Sequence, residues 1–130
     1  MKLISHVTLG TNDLLLATKY YDKILGLLEA KQLAKTENVV FYQFPNSTTK
    51  LAISRPYDGQ LASNGNGTML ALTAGSKECV TEIYKLAISL NSKCEGEPGP
   101  RNNGAYFGAY FRDLDGNKIA VFHRENGAGA

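Results

Sequence analysis

The chain is short of cysteine, of clustered basic charge and of long apolar runs, and each shortage removes a class of protein. Its 130 residues hold two cysteines, Cys79 and Cys94. Two cannot build the disulfide framework that staples small secreted domains. Cys79 falls in a helical pattern and Cys94 near the start of a strand, so both read as reduced, partly buried thiols. The formal charge is +2, and the lysines and arginines are scattered without a run. That balance is too weak for a nucleic-acid or membrane surface. No segment approaches the roughly 18 apolar residues that a membrane-spanning helix needs. The opening Met1-Lys-Leu-Ile-Ser-His turns polar too soon for a secretory signal, so a cytoplasmic location is expected. Neither a Gly-x-Ser-x-Gly nucleophile elbow nor a glycine-rich phosphate loop occurs.

What the chain does contain is one plan used twice. Residues 2–10 alternate in a β-rich run. Asn12 or Asp13 can cap a helix that places Leu14, Ala17, Tyr21, Ile24 and Leu25 on one face and stops at Gly26. Three β runs follow, over about 28–34, 39–44 and 50–54, with Pro45-Asn-Ser as a turn. The Gly- and Asn-rich stretch 57–67 reads as a linker. The plan then recurs: a strand over 68–74, and a helix over 77–91 capped by Ser76, with Val80, Ile83, Tyr84, Ala87 and Leu90 on one face. Residues 94–103 read as a loop and 104–112 as an aromatic strand. Asp113-Leu-Asp-Gly-Asn is a hairpin turn before a closing strand over 118–123. His6 and Met69 hold matching places in the two copies.

The expected fold is therefore α+β, with two paired β-α-β-β-β modules over about 1–56 and 68–124. Together they make a single domain, 1–124, with a loose tail over 125–130. Each helix would bury one face against a curved, cup-like mixed sheet, with the helices outside and the cup as the one sizeable pocket.

Five segments resemble the vicinal oxygen chelate superfamily, which holds glyoxalase I, extradiol dioxygenases and bleomycin- or fosfomycin-resistance proteins. They are Ile4-Ser-His-Val-Thr-Leu-Gly, Tyr20-Tyr-Asp-Lys-Ile-Leu-Gly-Leu, Gly65-Asn-Gly-Thr, Glu95-Gly-Glu-Pro-Gly-Pro-Arg and, most specific, Arg112-Asp-Leu-Asp-Gly-Asn-Lys-Ile. The resemblance covers nearly the whole chain. It implies the paired-module fold, a homodimer, and four inward positions that hold a divalent ion such as Zn, Ni, Mn or Fe in the metal-using members. Carried over one by one, those positions fall on His6, Ala52, Met69 and Ala120. Only His6 is a metal donor; a thioether is a poor ligand for such ions and a methyl group is none. A fold of this kind hosts several chemistries, so the site must decide.

The leading expectation is a metal-independent protein that binds a small molecule in its cup, with no cofactor and no nucleic-acid or membrane partner. The alternative is a metal-dependent lyase, isomerase or dioxygenase using His6 and ligands from elsewhere. A third reading makes the module an interaction domain. His6 is the sole catalytic candidate, and its competing reading, the commoner one for a lone histidine, is a hydrogen-bonded structural residue. If Ala120 faces the cup, Lys118 and Phe122 share its face, and the hairpin sets Tyr110 beside Ala120 with Arg112 and Gly108. Tyr106 and Tyr110 are then cup walls or ordinary core aromatics. Arg55 and Arg101 either hold an anionic group or are solvated. Tyr57 belongs to a lid or to a rigid turn. Ala52 and Met69 are apolar lining. His123 falls on the face opposite Ala120, and Cys79 is expected to be inert.

Overall fold

Asp13 opens the first helix because its carboxylate accepts a hydrogen bond from the Leu16 amide at 3.0 Å, satisfying one of the free donors of the first turn. The structure, a computed structural model, describes residues 3–125. The chain divides into two compact units, Met1–Asn64 and Gly65–Ala130. Each is built β-α-β-β-β around a four-stranded mixed sheet, as the repeated pattern predicts. The expected tail over 125–130 lies outside the described residues from 126 onward, as does residue 2 of the first expected strand.

The first unit contains β1 (His6–Gly10), α1 (Leu14–Gly26), β2 (Lys31–Lys35), β3 (Val39–Gln43) and β4 (Lys50–Ser54), with the sheet ordered β1-β4-β3-β2. β1 runs parallel to β4, and the other pairs are antiparallel. Leu9, Val40, Tyr42, Leu51 and Ile53 are buried, as are Leu14, Ala17, Tyr21, Ile24 and Leu25 of α1. These are the apolar stripe of a helix and the alternate residues of a sheet, so the two periodicities meet in one core. The helix ends at Gly26 as expected, but the glycine is not the left-handed residue of its cap. The left-handed residue is Glu29, with φ 62°, and the Ala30 amide returns to the Leu25 carbonyl at 3.0 Å. The chain thus closes its last turn three residues later than the glycine.

A polar tie joins this helix to the sheet. The Tyr42 hydroxyl donates to Asp22 Oδ1 at 2.7 Å and lies 3.3 Å from the Thr18 carbonyl, while Gln32 Nε2 donates to the same Asp22 oxygen at 2.9 Å. Burial, then the Asp22 carboxylate, push the Tyr42 phenol far above its ordinary pKa. Tyr42→Phe is expected to lower stability by about 1.5 kcal/mol, since the lost bond is to a charged acceptor. A raised folded-state pKa means the stability is fully present below the unfolded phenol's pKa of about 10 and is lost as pH rises above it. Urea unfolding at neutral and alkaline pH should therefore show the two proteins converging as pH rises; a constant gap would refute the assignment.

The second unit contains β5 (Leu70–Thr73), α2 (Lys77–Ser89), β6 (Lys93–Arg101), β7 (Tyr106–Arg112) and β8 (Lys118–His123), ordered β5-β8-β7-β6. Ser76 caps α2 as expected, accepting from the Cys79 amide at 3.0 Å. Val80, Ile83 and Ala87 of the helix are buried, as are Ala109, Phe111, Ile119 and Val121 of the sheet. Residues 94–103, expected to be a loop, are largely strand. Pro98 and Pro100 are tolerated because β6 is an edge strand, and its pairing with β7 is interrupted between Cys94 and Gly96 and again between Gly96 and Gly99. Cys94, expected to be partly buried, is exposed on that edge strand. Cys79 is half-buried, as expected, in the first turn of α2, and burial pushes its thiol pKa up.

The β7–β8 hairpin is held by Asp113, which is 5% exposed. Its Oδ1 accepts from the amides of Asp115 and Asn117, and its Oδ2 from Asn117 Nδ2, all at 2.9 Å. Its own amide donates to the Asn117 carbonyl at 2.8 Å, and Gly116 supplies the positive φ of 89°. The turn fixes the register that the sequence predicts, with Tyr110 opposite Ala120, Arg112 opposite Lys118 and Gly108 opposite Phe122.

Candidate functional site

The face of the second sheet turned away from α2 carries the most developed cluster of side chains. Residues two apart share a face, so Tyr106, Gly108, Tyr110 and Arg112 of β7 stand with Lys118, Ala120 and Phe122 of β8. The hydroxyls of Tyr106 and Tyr110 are 2.6 Å apart. Each ring lies across a glycine: a Cβ on Gly96 would meet the Tyr110 ring at 2.9 Å, and one on Gly108 would meet the Tyr106 ring at 3.0 Å. Phe122 meets Tyr106 edge-on, with centroids 6.0 Å apart. Ala120, 3% exposed, forms the floor beside Tyr110.

Cations surround these rings. The Arg101 guanidinium and the Lys118 ammonium each lie 5.6 Å from the Tyr110 centroid, and the Arg124 guanidinium lies 4.5 Å from that of Phe122 and 5.4 Å from that of Tyr106. Arg101 is steadied by the carbonyls of Glu97 at 2.6 Å and Pro100 at 3.3 Å. Arg112 is engaged by Glu95 at 2.9 Å and the Gly116 carbonyl at 3.1 Å. The Arg112 hydrogen bond holds the Glu95 carboxyl below its ordinary pKa. The Tyr110 phenol is raised, first by its bond to Tyr106 and then by desolvation. It therefore stays protonated at neutral pH, and either hydroxyl can donate to the other.

Of the residues singled out from sequence, the fold brings Arg101, Tyr106, Tyr110, Ala120 and Phe122 into this one cluster. Two members escaped notice as binding residues, Lys118 and Arg124. The even spacing 118, 120, 122, 124 was the available signal. Met69 falls just before β5 and is 46% exposed. His123, on the other face, places Nδ1 3.0 Å from the Ala74 carbonyl.

In the first unit, Ala52 is 1% exposed, opposite Thr8 on one side and Phe41 on the other. His6 is exposed at the head of β1, with Nδ1 3.0 Å from Ser5 Oγ and its ring edge-on to Phe41 at 5.3 Å. Arg55 lies elsewhere. Residues 55–63 line an open cleft of about 960 Å³ together with Thr8, Asn12, Asn38 and Ser54. Asn12, which does not cap α1, pins this segment: its Oδ1 accepts from the Ala62 amide at 2.7 Å and its Nδ2 donates to the Ala62 carbonyl at 3.3 Å. Tyr57 is fully exposed in a turn closed by the Gly59 amide on the Pro56 carbonyl, 3.1 Å. A sizeable cleft thus lies along the stretch read as a linker.

The four positions that the resemblance implies for an ion, His6, Ala52, Met69 and Ala120, carry one imidazole, one thioether and two methyl groups. Among the described residues, no three His, Cys, Asp or Glu side chains gather as a metal site. This donor set does not fit a divalent ion. Among the described residues, no helix is long and apolar enough to cross a membrane.

Comparisons with known proteins agree with the fold. The family model described as Glyoxalase/Bleomycin resistance protein/Dioxygenase superfamily matches residues 3–121. A crystal structure of a glyoxalase/bleomycin resistance protein from Albidiferax ferrireducens is 36% identical, covering 95% of this chain and 99% of that one with a TM-score of 0.85. The fosfomycin resistance protein FosX of Listeria monocytogenes is 20% identical over 97% of this chain and 96% of its own, TM-score 0.72. A lactoylglutathione lyase from Agrobacterium tumefaciens is 20% identical over 95% and 94%, TM-score 0.69. The last two share the fold alone. No curated protein matched.

Proposed function

Because the chain belongs to the glyoxalase/bleomycin resistance protein/dioxygenase superfamily, we propose that it binds a small molecule without a metal ion, on the helix-free face of its second sheet. The observation that carries this reading is Ala120. At the position where the family hairpin implies a carboxylate, a buried methyl group lies beside the Tyr106–Tyr110 pair and Phe122. The change removes a metal donor and leaves an apolar floor under aromatic walls, with polar tips and cations at the rim. Small-molecule sites are built in this way, from apolar surface with a few placed polar groups. Donor positions filled by Ala52 and Met69 support the same reading.

The test is elemental analysis after the protein is loaded with Zn, Ni, Mn, Co or Fe and desalted. No near-stoichiometric retention is expected, and His6→Ala should behave like the parent. A tightly held ion that is lost in His6→Ala would overturn the reading in favour of a metal-dependent enzyme. Oligomeric state belongs to the same proposal: a homodimer is expected in sedimentation, as the resemblance implies.

A further inference from the structure

We infer that the ligand of this face is an organic anion, its carboxylate or phosphoryl oxygens taken by Arg101, Lys118 and Arg124 around the hydroxyl pair of Tyr106 and Tyr110. The inference rests on the binding reading above and adds the chemical class of what is bound. Three observations carry it.

The first is charge. Three cations stand within 5.6 Å of ring centroids in one cluster, and all have the same sign. Within that cluster a cationic ligand meets repulsion from three like charges, whereas an anion meets attraction from all three. The acid beside the cluster, Glu95, is held by Arg112 at 2.9 Å and its charge also reaches Lys118, so one carboxylate stands against Arg112 and the three cations together.

The second is proton count. Tyr106 and Tyr110 hold two hydroxyl protons between them, and the 2.6 Å contact uses one. Whichever phenol accepts that bond has its own O–H left to give. That remaining phenolic O–H joins ammonium and guanidinium groups that only donate, so the cluster offers more hydrogens than lone pairs, the two phenol oxygens being its side-chain acceptors. Carboxylate and phosphoryl oxygens are acceptors only, and they suit such a set.

The third is placement. Arg101 is anchored through the Glu97 and Pro100 carbonyls, so part of its donor fork is fixed to the backbone while the rest is directed by that anchor. A guanidinium held in this way loses less freedom on gripping an oxyanion than a solvated one does.

The experiment follows backbone amide shifts of the whole chain by NMR against four probes with one phenyl body: benzoate, phenylphosphonate, benzamide and benzylammonium. Shifts in β7 and β8 are expected with benzoate, phenylphosphonate or both, and the affinity should fall as salt rises. Benzamide and benzylammonium should bind at least about tenfold more weakly. Arg101→Met and Lys118→Met should each weaken the anion about tenfold, the loss of one charge-assisted contact, while Lys118→Arg should retain it. The benzoate and phenylphosphonate arms separate a carboxylate site from a phosphoryl one. If benzamide or benzylammonium shifts the same amides as strongly as the anions, the charge preference is wrong and the binding face stands. If none of the four probes moves β7 or β8, the face is not a binding surface and the inference falls with it. Retention of a metal ion would instead sink the metal-free reading on its own.

Discussion

Truncating Phe111 to alanine is expected to destabilise the protein by about 4 kcal/mol, whereas Tyr110→Leu, one residue earlier, should lower stability by about 1 kcal/mol. The contrast follows from the strand. Phe111 is 0% exposed and points to the side of the sheet that carries Val80, Ile83 and Ala87 of α2. Its removal takes a large ring out of a close-packed core and leaves a cavity. Tyr110 is half-buried on the opposite side, where it rests on Gly96 and bonds to Tyr106. Leucine there loses the hydroxyl pair and little of the core. The anion response of the second sheet should accordingly disappear in Tyr110→Leu, a folded protein. Urea midpoints give the first comparison and probe titration the second. Equal destabilisation at the two positions would mean that β7 does not separate a packing face from a binding face.

Asp113→Ala should rank close behind, at about 3 kcal/mol. The carboxylate takes two backbone amides and one side-chain amide within a five-residue turn, at 5% exposure. Alanine would strip the partners from all three donors, and buried donors without acceptors are expensive. Asp113→Asn keeps one acceptor oxygen, so it should fall between the parent and the alanine variant. Thermal or urea unfolding of the three proteins orders them. If Asp113→Ala lies within about 1 kcal/mol of the parent, the strand ladder alone holds the hairpin. Because this turn sets Tyr110 opposite Ala120, its failure should also disturb the ligand face.

What could be seen in the sequence was whatever depends on near neighbours. The alternation in 104–112 and 118–123, with Asp-Gly between them, determines a hairpin register, and that register places Tyr110 by Ala120. The caps Asp13 and Ser76 are similarly local. The β6 strand was hidden because Pro98 and Pro100 exclude a central strand, and only the assembled sheet reveals that the position is an edge. Exposure of Cys94 follows from the same fact. Glu29 closes the first helix because the chain must turn into β2, a demand that Gly26 does not announce. Asn12 works 50 residues away, on Ala62, so its role and the fold of 55–63 lie beyond any periodicity. The cationic rim joins the end of β6 to the residue after β8, a convergence that cross-strand geometry alone creates.

The glycines under the tyrosines have a thermodynamic consequence. With Gly96 and Gly108 bare, both phenol rings lie down on the sheet and are locked together before any ligand arrives. The aromatic pair is preorganised, so its rotamer entropy is lost during folding and not at binding. The ordering that remains falls on Arg101, Lys118 and Arg124, each an unbranched chain that loses about 0.5–1.5 kcal/mol when immobilised. Residence time should therefore be governed by the rim, and a substitution at either glycine would convert a rigid recognition surface into an induced one.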